Sequence, residues 1–430
     1  MPTHTACVLT IGDELLNGDV INTNATWLGQ ILRIHGLPCR TMISVADHPE
    51  QILRALDYLW KHHDLVVVTG GLGPTRDDVT KDVLLRFFDD HLIRDPEVQE
   101  HVADYFRTKG RPVTDINRRQ ADIPSRAKVL FNELGTAPGL LMEKNGKLMA
   151  AMPGVPYELH HITEKRLIPE LEKRWYKSER RIRHNWFRTT GIGESDLSDR
   201  ILTELENRIP EGIDIAFLPH PGGVDIHVTE VNGSSRKKYD AFVEWIRETT
   251  GEFIFSEDYG ESLARNIVTS LSERKQTVAL AESCTGGSLA DALTDAPGSS
   301  ACFQGGVIAY DNRIKTDLLG ISRKHLETDG AVSSAVALEM AQKAGEMMHA
   351  DFALSTTGVA GPGGGTPDKP VGTVWIGFWS RSGSHFACRY RLTTRRRINK
   401  ERTCAIALDL LRRHIAGISG LPHQPEVVYP

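Results

Sequence analysis

Ser283 stands in the run Glu282-Ser283-Cys284-Thr285-Gly286-Gly287, directly after the apolar stretch 277–281. That stretch reads as a buried strand, and a residue at its carboxyl end faces the edge where open α/β sheets take ligands. A serine there could attack a carbonyl carbon if a base stood beside it. The amides that follow, from Cys284 through Thr285 and Gly286 to Gly287, could hold an oxyanion or a carboxylate. The commoner role for a serine at such a turn is a helix cap, and local sequence leaves both readings open. Neither G-x-S-x-G nor S-x-x-K surrounds Ser283, so a base must come from elsewhere in the chain. Lys315 is the candidate, one turn after the strand-like segment 306–310 that ends in Tyr310. A lysine works as a base only if burial or nearby positive charge lowers its pKa; otherwise it is an ordinary surface lysine. A third run, 356–365, carries Thr357, Gly358 and Gly361 after another strand-like segment. It suits close backbone approach to a phosphate or amide, or else a flexible connection. Arg396 and Lys400 could meet a phosphate, although the run Arg395-Arg396-Arg397 reads equally well as a solvated basic patch.

The N-terminal part carries a second constellation. Gly70-Gly71-Leu72-Gly73-Pro74-Thr75-Arg76-Asp77-Asp78 follows the β-branched run 64–69. Gly71, Gly73 and Thr75 could receive a phosphate at the helix start, and Asp77 or Asp78 could hold a divalent cation beside it. Favourable charge at a helix N-terminus is the plainer account of those acids. Asp13 and Glu14 end the first strand, so Glu14 and Asp78 are expected to converge on one sheet edge. The turn-forming runs 132–139 and 152–156 are expected to line the same cleft.

Strand, Gly-rich loop, helix, repeated, predicts an α/β fold with mainly parallel sheets at both ends of the chain. The middle alternates like half-buried strands at 183–190 and 223–231, with amphipathic helices between and after them, and predicts a small α+β domain. The expected domains are 1–170, 171–256 and 257–430. The tail 421–430 holds three prolines and is expected to be loose. Basic residues number 51 and acidic residues 56, a charge of −5 that favours neither nucleic acid nor an anionic membrane. No apolar run reaches the roughly 18 residues of a membrane span. The start of the chain lacks the basic region of a secretory signal. Six cysteines are scattered without a CxxC pair, which suits reduced thiols and a cytoplasmic protein.

With the motifs set out, segment 257–418 resembles the CinA C-terminal domain, the PncC family of nicotinamide-nucleotide amidohydrolases. The resemblance rests on Glu282 to Gly287, on Tyr310-Asp311-Asn312-Arg313-Ile314-Lys315, on Thr357 to Pro362, and on Lys369-Pro370-Val371-Gly372-Thr373-Val374. It implies that Ser283 is the nucleophile, that Lys315 activates it with Tyr310 assisting, and that nicotinamide mononucleotide is converted to nicotinate mononucleotide and ammonia without a cofactor. Residues 1 to about 170 resemble the molybdopterin-binding-like (MoCF) domain of CinA proteins, through Gly12 to Gly18, Gly70 to Thr80 and Gly135 to Gly139. That likeness implies ADP-ribose pyrophosphatase activity with a divalent metal. A pterin- or nucleotide-binding sensor without catalysis is the alternative. The family also usually dimerises. Its name suggests DNA uptake, but the charge and the lack of a basic-aromatic stripe count against direct nucleic-acid binding.

Overall fold

The computed structural model describes residues 4–73, 78–175, 183–205, 209–230, 235–423 and 425–430. They belong to two compact units, Met1–Arg183 and His184–Pro430. In the first unit the strand Leu65–Thr69 lies between Ala6–Ile11 and Lys147–Met152, parallel to both. Cys39–Val45 extends the parallel part, and the antiparallel strands Gly139–Lys144 and Lys128–Leu130 extend the other edge. Side chains alternate across such a strand, so a central one must be apolar at every position. Leu65 and Val67 enter one core with Leu28, Leu32 and Leu159, while Val66 and Val68 enter another with Ile52, Leu56 and Val83. The sheet is therefore covered on both faces. Its parallel strands all deliver their carboxyl ends to the edge where Gly12, Asp47 and Gly70 stand.

The second unit holds two sheets. The smaller is antiparallel, in the order Ile213–His220, Gly223–Glu230, His184–Thr189, Ile254–Ser256. Helices Glu194–Leu205 and Arg236–Thr250 bury Leu197, Ile201, Phe242 and Ile246 against Phe187, Ile226 and Val228. This is the expected α+β grouping, with the strand Ile213–His220 added to those read from the sequence.

The larger sheet runs Phe303–Ile308, Val278–Glu282, Phe352–Gly358, Thr373–Ser380, His385–Arg391, Glu426–Val428. Val278–Glu282 is parallel to both its neighbours, and the remaining pairings are antiparallel. Helix Arg396–Ala416 packs one face and Ser334–Met347 the other. The tail is not loose: Glu426–Val428 adds an edge strand, with Val427 opposite Cys388. Val427 and Val428 alternate across that edge and tuck against different cores, which the prolines around them had masked.

Candidate functional site

Val278–Glu282 is buried at all five positions and ends at Ser283, whose amide donates to Thr356 O at 2.8 Å. Gly286 (φ 61°) and Gly287 (φ 95°) then turn the chain into helix Ser288–Thr294, a path that L side chains resist. Glu282 holds this turn from beneath. Its buried carboxylate accepts from the amides of Gly287 at 2.9 Å, Leu289 at 3.1 Å and Ala290 at 2.8 Å. Sequence reasoning gave Glu282 no role, although an acid ahead of a helix start is a recognisable capping signal.

The engagement of these amides corrects one expectation. Gly287 N belongs to Glu282 and Gly286 N donates to Ser283 O at 3.2 Å, so neither is free for a ligand. Among the described residues, the amides of Cys284 and Thr285 have no acceptor. Cys284 itself packs inward, 7% exposed within the apolar core, and burial pushes its thiol up to about 12. Thr285 is buried with its hydroxyl 2.6 Å from that of Thr356, which ties the turn to the neighbouring strand.

Lys315 lies in helix Asn312–Asp317 and is 1% exposed. Its Nζ donates to Ala309 O at 2.6 Å, Tyr310 O at 3.3 Å and Ser283 Oγ at 3.2 Å. Burial lowers its pKa from the ordinary lysine value, against the opposing pull of Asp311. A neutral amine has two N–H bonds and one lone pair. In that form the two carbonyls take the protons and the lone pair faces the serine hydroxyl.

Tyr310 is placed otherwise than as a direct helper. The residue is 60% exposed, and its hydroxyl accepts from Arg396 Nη2 at 3.0 Å; its hydrogen bond with Lys315 is through the main-chain carbonyl. Arg396 also donates to Gly361 O at 3.0 Å, so one guanidinium joins two of the expected motifs. Thr357 points away, its hydroxyl donating to Ala331 O at 2.6 Å, and Gly358 sits against the main chain of Thr373. A Cβ on Gly286 would stand 3.7 Å from Lys400 Nζ, which puts that cation over the turn. Arg396 and Lys400 also line a cavity of about 970 Å³ with Arg188 and His220; Ser283 and Lys315 are not among its walls. Ser283 Oγ and Lys315 Nζ meet instead at the strand-to-helix turn.

In the first unit a cavity of about 530 Å³ is lined by Glu14, Gly71, Gly73 and Asp78, as expected for one sheet edge. Thr75 and Asp77 lie outside the described residues. Asp78 accepts from Gly73 N at 2.8 Å, and a Cβ on Gly73 would collide with its carboxylate. The cavity also takes in Asp47, Asn24, Gln120 and Glu158, which sequence reasoning missed. Asp47 follows the strand next to the first one, so the strand-end rule could have found it. Burial raises its pKa, and the negative charges of Asp13, Glu14 and Asp78 add to that. Glu158 accepts from Asn132 Nδ2 at 2.7 Å, which brings the 132–139 turn to the cleft. Among the described residues, no three His, Cys, Asp or Glu side chains gather as a ready metal site.

Among the described residues, no helix is long and apolar enough to cross a membrane. The chain matches three domain families: the CinA C-terminal domain over 260–415, the "Probable molybdopterin binding domain" over 7–173, and the "Damage-inducible protein CinA KH domain" over 184–256. A CinA-like protein of Chlorobaculum tepidum is 41% identical over 384 residues, covering 87% of this chain and 89% of the relative. One from Chlorobium limicola is 40% identical over 412 residues, covering 93% and 95%. The crystal structure of a competence/damage inducible protein, CihA, from Agrobacterium tumefaciens is 41% identical, covers 36% of this chain and 93% of its own, and has a TM-score of 0.35. With identity sustained at this level over most of its length, the chain belongs to the CinA family.

Proposed function

We propose that the C-terminal part hydrolyses the carboxamide of nicotinamide mononucleotide, with Ser283 as nucleophile and Lys315 as base. The observation that carries this reading is the buried Lys315 Nζ, 3.2 Å from Ser283 Oγ and anchored on two carbonyls. Ser283 Oγ attacks the amide carbon while its proton passes to Lys315. The oxyanion that forms is met by the amides of Cys284 and Thr285. Lys315 then gives the proton to the departing nitrogen, ammonia leaves, and an ester to Ser283 remains. Water attacks the ester, Lys315 takes its proton and returns one to Oγ, and the carboxylate product departs. No cofactor enters these steps. Arg396 and Lys400 supply positive charge for the substrate phosphate, and Arg396 keeps N–H groups beyond those bound to Tyr310 and Gly361.

For the N-terminal cleft we propose ADP-ribose hydrolysis to AMP and ribose 5-phosphate. Glu14 and Asp78 would hold a divalent ion jointly with the phosphate oxygens and water, the usual habit of magnesium, and the ion would neutralise the charge of the pyrophosphate. The second reading is a cleft that binds nucleotide or pterin without cleaving it. All six cysteines are free, which suits the reducing cytoplasm where we place the chain. We take the working form to be a homodimer, after the family.

Product analysis tests both proposals on purified full-length chain. Nicotinamide mononucleotide and ADP-ribose are offered separately, with and without magnesium or a chelator. Ammonia release that survives both Ser283→Ala and Lys315→Ala would sink the proposed dyad. Affinity for ADP-ribose without AMP formation would favour the sensor, and chelator-insensitive cleavage would remove the metal.

A further inference from the structure

Gln120 is used by neither the fold nor the chemistry described so far. It sits in the short turn Arg119–Ala121 and is 1% exposed. Among the described residues, neither its Nε2 nor its Oε1 has a hydrogen-bond partner. A buried carboxamide left in that state is destabilising, so a native chain keeps one only where something else completes it. The turn is firmly held. Lys81 Nζ donates to the carbonyls of Arg119 at 3.4 Å, Gln120 at 3.4 Å and Asp122 at 3.1 Å. Gln120 is one of the residues lining the cavity shared by Gly71, Gly73 and Asp78, with its buried amide beside that space. Asn24 Oδ1, in the same cavity, is likewise buried and unpartnered, while Asn24 Nδ2 donates to Gly154 O at 2.7 Å.

The charged side chains among the described walls of this cavity are Glu14, Asp47, Asp78 and Glu158, all acids. Acids suit a cation or sugar hydroxyls. A planar neutral carboxamide offers one donor beside one acceptor, and the adenine edge presents the complement, an exocyclic amine next to a ring nitrogen. We infer that Gln120 reads the adenine of the nucleotide held in the N-terminal cleft, its Oε1 accepting from the exocyclic amine and its Nε2 donating to the ring nitrogen. This rests on the nucleotide reading of the cleft proposed above and names the group that selects the base. The ring nitrogen is N7, the edge on which a carboxamide pairs with adenine; on that edge hypoxanthine carries a carbonyl in place of the amine, so it sets two acceptors, O6 and N7, against Oε1 and Nε2.

Calorimetric titration of the full chain with AMP, IMP and ribose 5-phosphate tests the inference, for the wild type and for Gln120→Leu, which keeps most of the volume. The wild type should prefer AMP to IMP by about tenfold or more, and Gln120→Leu should weaken AMP binding by about tenfold or more and erase the preference. Ribose 5-phosphate binding should not change. Without ligand, the variant should melt no lower than the wild type, because an unpartnered amide has been replaced by an apolar group. Equal AMP affinity in the two proteins, or equal wild-type affinity for AMP and IMP, would overturn the inference and leave the nucleotide reading standing. A variant that melts lower and loses ribose 5-phosphate along with AMP would overturn it in favour of a structural water on Gln120. A wild type that binds neither AMP nor ADP-ribose but takes up a pterin would overturn the nucleotide reading itself, and this inference with it.

Discussion

Lys315, in the C-terminal half, directs its Nζ to two carbonyls and Ser283, whereas Gln120, in the N-terminal half, directs its amide to nothing among the described residues. The contrast extends to the acids. Glu282 gives its carboxylate to three amides, while the pKa of Asp47 is raised by burial first and then by the three acids around it, Asp13, Glu14 and Asp78. Around Ser283 the chain anchors Lys315 and Glu282 on its own polar groups and leaves only the amides of Cys284 and Thr285 open among the described groups of the turn, so the proposed reacting atoms are held by the chain itself. In the N-terminal cleft, on the reading proposed above, a ligand would supply what the chain does not. The first kind of site should therefore lose function when its own groups are removed. The second should gain stability when its ligand arrives, or when its unfinished groups are taken away.

The largest effect is expected at Ser283. Replacing it with alanine should lower amide hydrolysis by about 10⁴-fold or more, since the proposed nucleophile is removed. Lys315→Met should cost about 10²- to 10⁴-fold, the range of a positioned base. Ammonia release under single-turnover conditions measures both. If Lys315→Met keeps wild-type activity, the site is not self-contained, and another base must be sought.

Acidity provides the next test. Lys315 must be neutral to accept the serine proton, so kcat/KM should rise about tenfold per pH unit below the lysine's pKa and level off above it. Because burial lowers that pKa, the plateau should begin below the ordinary lysine value of 10.5. The stability consequence has a definite sign. Between the lowered folded value and 10.5 the unfolded chain binds more protons at this residue, so its contribution to stability rises with pH across that window. A pH–rate profile whose rising limb ends at 10.5 or above would show that burial leaves the lysine unchanged.

How much of this was legible in the sequence follows the same division. The strand-to-helix turn at Ser283 could be read because the strand before it is apolar and ends at the motif, and Lys315 because it stands one helical turn past the end of a neighbouring strand. The α/β class was readable for the same reason, in runs such as 64–69 that are apolar at every position. Glu282 was quoted within a motif but not understood, since its partners are backbone amides that no side-chain pattern reveals. Tyr310 was assigned by resemblance as a helper of the base, and the structure gives its hydroxyl to Arg396. Gln120 left no trace in the sequence, because an unpartnered amide is visible only once its surroundings are known. The edge strand Glu426–Val428 was hidden by prolines, which edge strands tolerate.

Glu282 gives a smaller and separable effect. Glu282→Ala leaves the amides of Gly287, Leu289 and Ala290 without their acceptor, which should destabilise the second unit by about 1–3 kcal/mol. Glu282→Gln retains one acceptor oxygen and should fall between the alanine variant and the wild type. Urea titration followed by tryptophan fluorescence measures the loss. Because Glu282 is buried and holds the Ser283 turn through its backbone amides, both variants should lower kcat more than they raise KM.

The smallest effect is expected at Asp47, where the sign is opposite. A carboxyl whose folded pKa is raised binds more protons folded than unfolded. The charged group therefore works against the fold as pH rises from the ordinary value of 3.8 through the raised one, and that loss persists above it. Asp47→Asn removes the charge and keeps an oxygen able to accept from Asp13 N, the bond Asp47 makes at 3.0 Å. At neutral pH, without ligand or metal, the variant should melt slightly higher, by about 1–2 °C. Added magnesium and AMP should close the gap, because a bound cation relieves in the wild type the same repulsion that the substitution removes. Differential scanning calorimetry with and without these additions reads both changes. A variant that melts lower in every condition would mean that the acids of the cleft are already satisfied by the chain, and the contrast with the Ser283 site would collapse.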